Sequence, residues 1–175
     1  MLMLTQILSH TPRWVFALFA LLVWLGAKQL LAGSVSLTRV TLLPIAMTGL
    51  SFYGLLSAFG DSPVALLGWA GVATVLLLTV QRWPLPAAAR FDPATRTFHL
   101  PGSAAPLALM MGIFFTKYAV GVLLAMHPEL ARQSGFALGI GALYGVFSGI
   151  FAGRALRLWK LAMREDRMLY NAGGA

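Results

Sequence analysis

Long apolar runs separated by short polar breaks divide this chain into five windows, at 14–31, 40–59, 63–80, 104–126 and 135–152. A helix needs about 20 predominantly apolar residues to cross the hydrocarbon of a bilayer. Each window is of that order, so the pattern predicts an all-α polytopic bundle of about five transmembrane spans. The breaks have turn chemistry. Gly33, Ser34, Val35 and Ser36 read as a turn. Gly60, Asp61, Ser62 and Pro63 read as a tight turn that starts the next helix, with Ser62 as N-cap and Pro63 in the first helical position. His127, Pro128 and Glu129 close the fourth span, because proline and its predecessor resist continuing a helix.

The one long polar connection, 82–103, joins the third and fourth spans. Within it Arg90 to Leu100 alternates apolar and polar positions around Asp92-Pro93-Ala94-Thr95, a pattern that fits a short hairpin on the membrane surface or irregular chain. Before the first span, residues 1–12 are too short to cross. Leu2, Leu4, Ile7 and Leu8 fit one face of an interfacial helix, and the absence of a basic n-region argues against a cleaved signal. The chain thus divides into an N-terminal segment (1–12), a membrane bundle (13–157) and a basic tail (158–175). That tail continues the fifth helix out of the bilayer and is expected to be disordered over its last five residues.

Composition supports lipid as the solvent. Of 175 residues, 59% are hydrophobic and 10% charged, whereas a soluble domain carries roughly a quarter charged. Without cysteine there is no disulfide, thiolate metal site or thiol redox chemistry. The net charge of +8 is interrupted by apolar runs rather than gathered on a soluble module, which weighs against nucleic acid as a partner. Five spans put Lys28, Arg39, Arg82, Arg90, Arg96, Arg154, Arg157, Lys160, Arg164 and Arg167 on one side and only Arg13 and Arg132 on the other. Lysine and arginine mark the cytoplasmic side. The expected topology is therefore N-terminus outside and C-terminus in the cytoplasm, in a bacterial inner membrane.

The thirteenth basic residue, Lys117, falls near the middle of the fourth span. A charge there costs several kcal/mol unless it is paired or solvated. No Asp or Glu lies inside a span. The second span offers Thr41, Pro44, Thr48 and Ser51 on one face, with Thr48 and Ser51 at the depth of Lys117; Tyr144 and Ser148 of the fifth span are also near mid-depth. These residues are candidates for a site that binds an anion, a carboxylate-bearing substrate or a lipid headgroup, or that carries a proton. The alternative is a lysine held by hydroxyls and carbonyls, or one set further outward.

On the fifth span Gly141, Gly145, Gly149 and Gly153 recur every fourth residue, preceded by Gly135 and Gly139. Such a glycine face lets backbones approach closely in lipid, either within the chain or in a homo-oligomer. His10, Asp61, His127 and Glu129 share the outer side but match no metal-ligand spacing. No span centre holds a histidine for haem, so no cofactor is expected. The cytoplasmic arginines with Trp83 and Trp159 read as a membrane anchor, with an anionic-lipid site as the alternative.

The segment Arg39-Val40-Thr41-Leu42-Leu43-Pro44, continuing to Met47-Thr48-Gly49, resembles small bacterial inner-membrane proteins of the CcdC-like kind. Leu100-Pro101-Gly102-Ser103 before an apolar helix does the same. The resemblance implies a polytopic protein of an uncharacterised family and carries over no catalytic residue. The expected function is a non-enzymatic transporter, channel-like or accessory component with a polar site around Lys117. The alternatives are a membrane-embedded enzyme acting on a lipid or isoprenoid, which would need acid–base or metal-binding pairs that the spans lack, and a structural or assembly factor.

Overall fold

The computed structural model describes residues 13–60 and 62–173. Five helices dominate: α1 (Arg13–Ala27), α2 (Leu37–Phe59), α3 (Pro63–Val80), α4 (Ala105–Met126) and α5 (Ser134–Gly173). Three short strands accompany them, β1 (Gly33–Ser36), β2 (Arg90–Asp92) and β3 (Thr97–Leu100), and a 3-10 turn over Pro128–Arg132 links α4 to α5. Helices α2 to α5 are each long and apolar enough to cross a membrane. The described part of α1 has 15 residues, about 22 Å of helix, short of the roughly 30 Å of hydrocarbon. It stops at Ala27, four residues before the apolar window ends, because the chain turns there to enter β1.

The apolar faces meet in two cores inside the bundle. One joins Leu22 of α1, Met47 of α2, Met110 and Ile113 of α4 and Phe151 of α5. The other joins Leu55 and Phe59 of α2, Ala65 of α3 and Ala137 and Tyr144 of α5. Large side chains elsewhere on the helices, such as Leu67, Val75 and Phe115, point outward and are exposed, as lipid-facing positions must be. The most extensive interface is α3 against α5.

At one end of the bundle lies a layer that the apolar pattern predicts only in part. The segment 33–36, read as a turn, is a strand: β1 pairs antiparallel with β3, which also pairs antiparallel with β2. Register puts Val35 and Phe91 on either side of Phe98. These apolar residues pack against Leu158, Leu161 and Ala162 of α5 with Val40 of α2. Helix α5, at 40 residues and so about 60 Å long, therefore crosses the bundle and projects beyond it to back the sheet. It continues as helix to Gly173, so residues 171–173 belong to α5 rather than to a disordered tail.

Local chemistry fixes the joints. Ser36 ends β1 and also caps α2, its hydroxyl accepting from the Arg39 amide at 3.3 Å. Pro63 starts α3 as expected, but Ser62 at the N-cap makes no side-chain cap bond. The β2–β3 turn is held by Asp92, whose carboxylate accepts from the Ala94 amide at 3.0 Å and the Thr95 hydroxyl at 2.7 Å. These bonds, the Thr95 hydroxyl first, hold the Asp92 carboxyl below its ordinary value. A depressed folded-state pKa contributes stability above the unfolded pKa and loses it as pH falls through the folded one. Protection of the amides in 90–100, taken relative to the intrinsic exchange rate at each pH, should therefore be steady above about pH 5 and fall only below the ordinary carboxylate value near 4. Asp92→Asn should remove that acid step.

Candidate functional site

The basic end of the bundle holds a cavity of about 230 Å³ between the sheet layer and the helix ends. Four cations line it: Lys28 after α1, Arg39 in the first turn of α2, and Arg154 and Arg157 on α5. Among the described residues no carboxylate lines it. Three connections build the wall. The link from α1 into the start of β1 supplies Gln29 and Leu31 and then Gly33 and Ser34 of the strand itself; the link from β3 to α4 supplies Pro101, Gly102 and Ser103; and Leu85 and Pro86 come from the chain after α3.

These connections are tied to one another. The Ser103 amide donates to the Gln29 carbonyl at 2.7 Å. Gly102 passes so close to the Leu30 carbonyl that a β-carbon would collide with it, so only glycine fits. Arg157 donates through Nη1 to the carbonyls of Trp83 and Pro84 at 3.4 and 3.2 Å. Its buried Nε has no acceptor among the described residues. Lys28 rests over the Trp24 ring, 3.7 Å from the centroid.

A second, apolar cleft of about 80 Å³ adjoins the first and shares Gln29, Arg39 and Arg154 with it. It runs between α2, α4 and α5, lined by Val40, Leu43, Pro44, Pro106 and Phe151. The combined site is cationic at its mouth and apolar toward the bundle. Gathering four like charges without a counter-charge is unfavourable in a partly desolvated site. An anion would relieve that repulsion.

The residues singled out around Lys117 do not come together at this site. Ser51 donates to the Tyr144 carbonyl at 3.1 Å, and Ser148 donates to the same carbonyl at 3.0 Å while accepting from Trp69 Nε1 at 3.1 Å. These three candidates thus form one buried network among α2, α3 and α5. The Tyr144 hydroxyl is buried beside Gly54 and has no hydrogen-bond partner among the described residues. Lys117 is elsewhere: its ammonium lies over the Tyr53 ring, 4.7 Å from the centroid. Thr48 is half-buried and makes no side-chain hydrogen bond among the described residues. Depth along a helix follows from counting residues; the direction in which each face turns depends on packing.

Gly141, Gly145, Gly149 and Gly153 are buried against α3 of the same chain. A β-carbon at Gly145 would lie 2.5 Å from the Trp69 carbonyl oxygen, and one at Gly149 2.6 Å from that of Ala73. Helix α3 fills this groove, so a homo-oligomer would have to use another surface. Gly135 and Gly139 face open space. Of the weak metal candidates, His10 and Asp61 lie outside the described residues. His127 Nδ1 and Glu129 Oε1 are 3.2 Å apart on the surface, and no group of three metal-ligand side chains occurs among the described residues.

Lys28, Arg39, Arg154 and Arg157 were legible in the sequence as membrane anchors but not as a cavity. The available signal was that cations at three separated helix ends share one side with very few acids. No curated protein and no solved structure matches the chain. One family model does, over residues 1–168, and by that match the chain belongs to the family of unknown function DUF6622.

Proposed function

We propose that this integral membrane protein is a non-catalytic accessory component that holds an anionic amphiphile, a phosphate-bearing lipid, in the basic cavity. The carrying observation is the cavity itself, where Lys28, Arg39, Arg154 and Arg157 surround a mouth that opens onto the apolar cleft beside Pro44 and Phe151. A phosphate would sit among the cations and an acyl chain along the cleft. The ten-to-two split of basic residues supports a cytoplasmic position for this end. Among the described residues no carboxylate, histidine or cysteine lines the cavity, which favours binding over group transfer.

The test uses the full-length protein in detergent, titrated with phosphatidylglycerol or phosphatidylcholine and followed by native mass spectrometry. Phosphatidylglycerol should bind at least about tenfold more tightly. A basic residue near anionic lipid contributes about 1 kcal/mol, so Lys28→Gln and Arg39→Gln should each weaken phosphatidylglycerol about fivefold. Neither side chain supports the surrounding loops as Arg157 does, so both variants should stay folded. Raising the salt should narrow the preference. Equal affinity for the two lipids, or variants that bind like the wild type, would refute the assignment.

A further inference from the structure

A lysine–tyrosine pair, independent of the basic cavity, lies on the outward face of α2 and α4. Lys117 is the thirteenth of 22 residues in α4, so its backbone sits about 13 Å from the C-terminal end of that helix and about 18 Å from the other. Side chains on a helix lean toward its N-terminus, so the lysine leans away from the nearer end. Its reach of about 6 Å does not bring the ammonium to either interface. Among the described residues its ammonium makes no hydrogen bond or ion pair and lies over the Tyr53 ring, and Tyr53 is itself 63% exposed. One turn further along α4, a β-carbon on Gly121 would meet nothing within 4 Å. The charge is therefore half-buried beside an aromatic ring, on a face with room for another backbone.

A cation at this depth calls for a carboxylate. The chain cannot supply one. Its five acids are Asp61, Asp92, Glu129, Glu165 and Asp166, all between or beyond the membrane-crossing stretches. A second copy has the same shortage and would add a second uncompensated lysine. Charge complementarity thus selects a different chain. We infer that the Lys117–Tyr53 face docks a transmembrane helix of another membrane protein that carries an aspartate or glutamate at mid-depth. Tyr53 then covers the ion pair from lipid, and Gly121 lets the two backbones close on it.

The probe is a synthetic single-span peptide of leucine and alanine with one central Glu, beside the same peptide with Leu in that place. Full-length protein is reconstituted in phosphatidylcholine vesicles and labelled at one cysteine introduced after Tyr170, since the chain has none. Energy transfer from labelled peptide reads association. The Glu peptide should associate at least about tenfold more tightly than the Leu peptide. Lys117→Met should erase that difference, and Gly121→Leu, which keeps the charge but fills the open space, should reduce it severalfold. Circular dichroism and elution volume establish that both variants are folded, with Lys117→Gln as a second neutral variant. Equal binding of the two peptides, or a Glu preference that survives Lys117→Met and Lys117→Gln, would overturn the inference. So would an unchanged preference in Gly121→Leu, or Lys117-dependent self-association in the absence of peptide.

Discussion

Gly145→Leu should prevent α3 and α5 from docking and leave a helical but unassembled chain. A β-carbon at this position already lies 2.5 Å from the Trp69 carbonyl oxygen and 3.1 Å from the Ala73 amide nitrogen. Both are backbone atoms, so no side-chain rotation can relieve the overlap. Overpacking a core typically costs 1–3 kcal/mol and occasionally more; a contact between two backbones belongs at the upper end, and Gly145→Ala alone should cost about 2 kcal/mol. Helicity should persist, because each span satisfies its own backbone hydrogen bonds in lipid. Titration with a denaturing detergent, followed by tryptophan fluorescence and elution volume, reads the loss. Gly139→Ala is the control on the same helix. Its β-carbon meets nothing, so exchanging a flexible residue for a good helix former should stabilise by up to about 1 kcal/mol. A Gly145→Leu protein as stable as the wild type would refute the packing described for this groove.

Phe98→Ala should release the sheet layer from α5 while the bundle stays assembled. Phe98 is fully buried, its ring centroid lies 4.8 Å from that of Phe91, and it packs in the cluster with Val40 and Ala162. Truncating a buried phenylalanine costs about 3–5 kcal/mol. Three strands of three or four residues have little else to hold them. The exposed Arg96–Asp166 pair, 3.8 Å apart, contributes at most about 1 kcal/mol. Hydrogen exchange should rise in 33–36 and 90–100 and remain slow in α3 and the first half of α5. The cavity loses its Leu100 and Val35 wall in the same step, so phosphatidylglycerol binding should fall with it. Uniform exchange across the chain would show the layer and the bundle to be one cooperative unit.

What the sequence made legible follows from the range of each interaction. Four long apolar helices, the hairpin around Asp92 and the close-packing glycines are local patterns and were readable as such. Strand β1 was not, because four residues, Gly33 to Ser36, carry no periodicity of their own. Their partner, Leu100 to Thr97, lies more than sixty residues away. The cavity is hidden for the same reason: Lys28, Arg39 and Arg154 are separated along the chain and meet only after the helices pack. Residue counting assigns Ser51 and Lys117 a common depth but says nothing of azimuth. Their azimuths differ, since Ser51 turns to Tyr144 while Lys117 turns to Tyr53, and no spacing rule encodes that. The CcdC-like resemblance rests on its short motifs alone.

The α3–α5 interface also sets the order in which the protein can be completed. Helix α3 makes few contacts with α2 and leans almost wholly on α5. The glycines that receive it, ending at Gly153, are synthesised about seventy residues after Val80, which at 5–20 residues per second is roughly 4–15 s later. Through that interval α3 is in lipid without its mate, its carbonyl-lined groove open to any small-faced helix nearby. The same wait applies to the sheet, whose backing helix follows all three of its strands in the chain. A ribosome that stalls before Ser134 releases a chain with α3 unsupported, so quality-control proteases should clear products truncated there far faster than chains that lose only the residues after Tyr170.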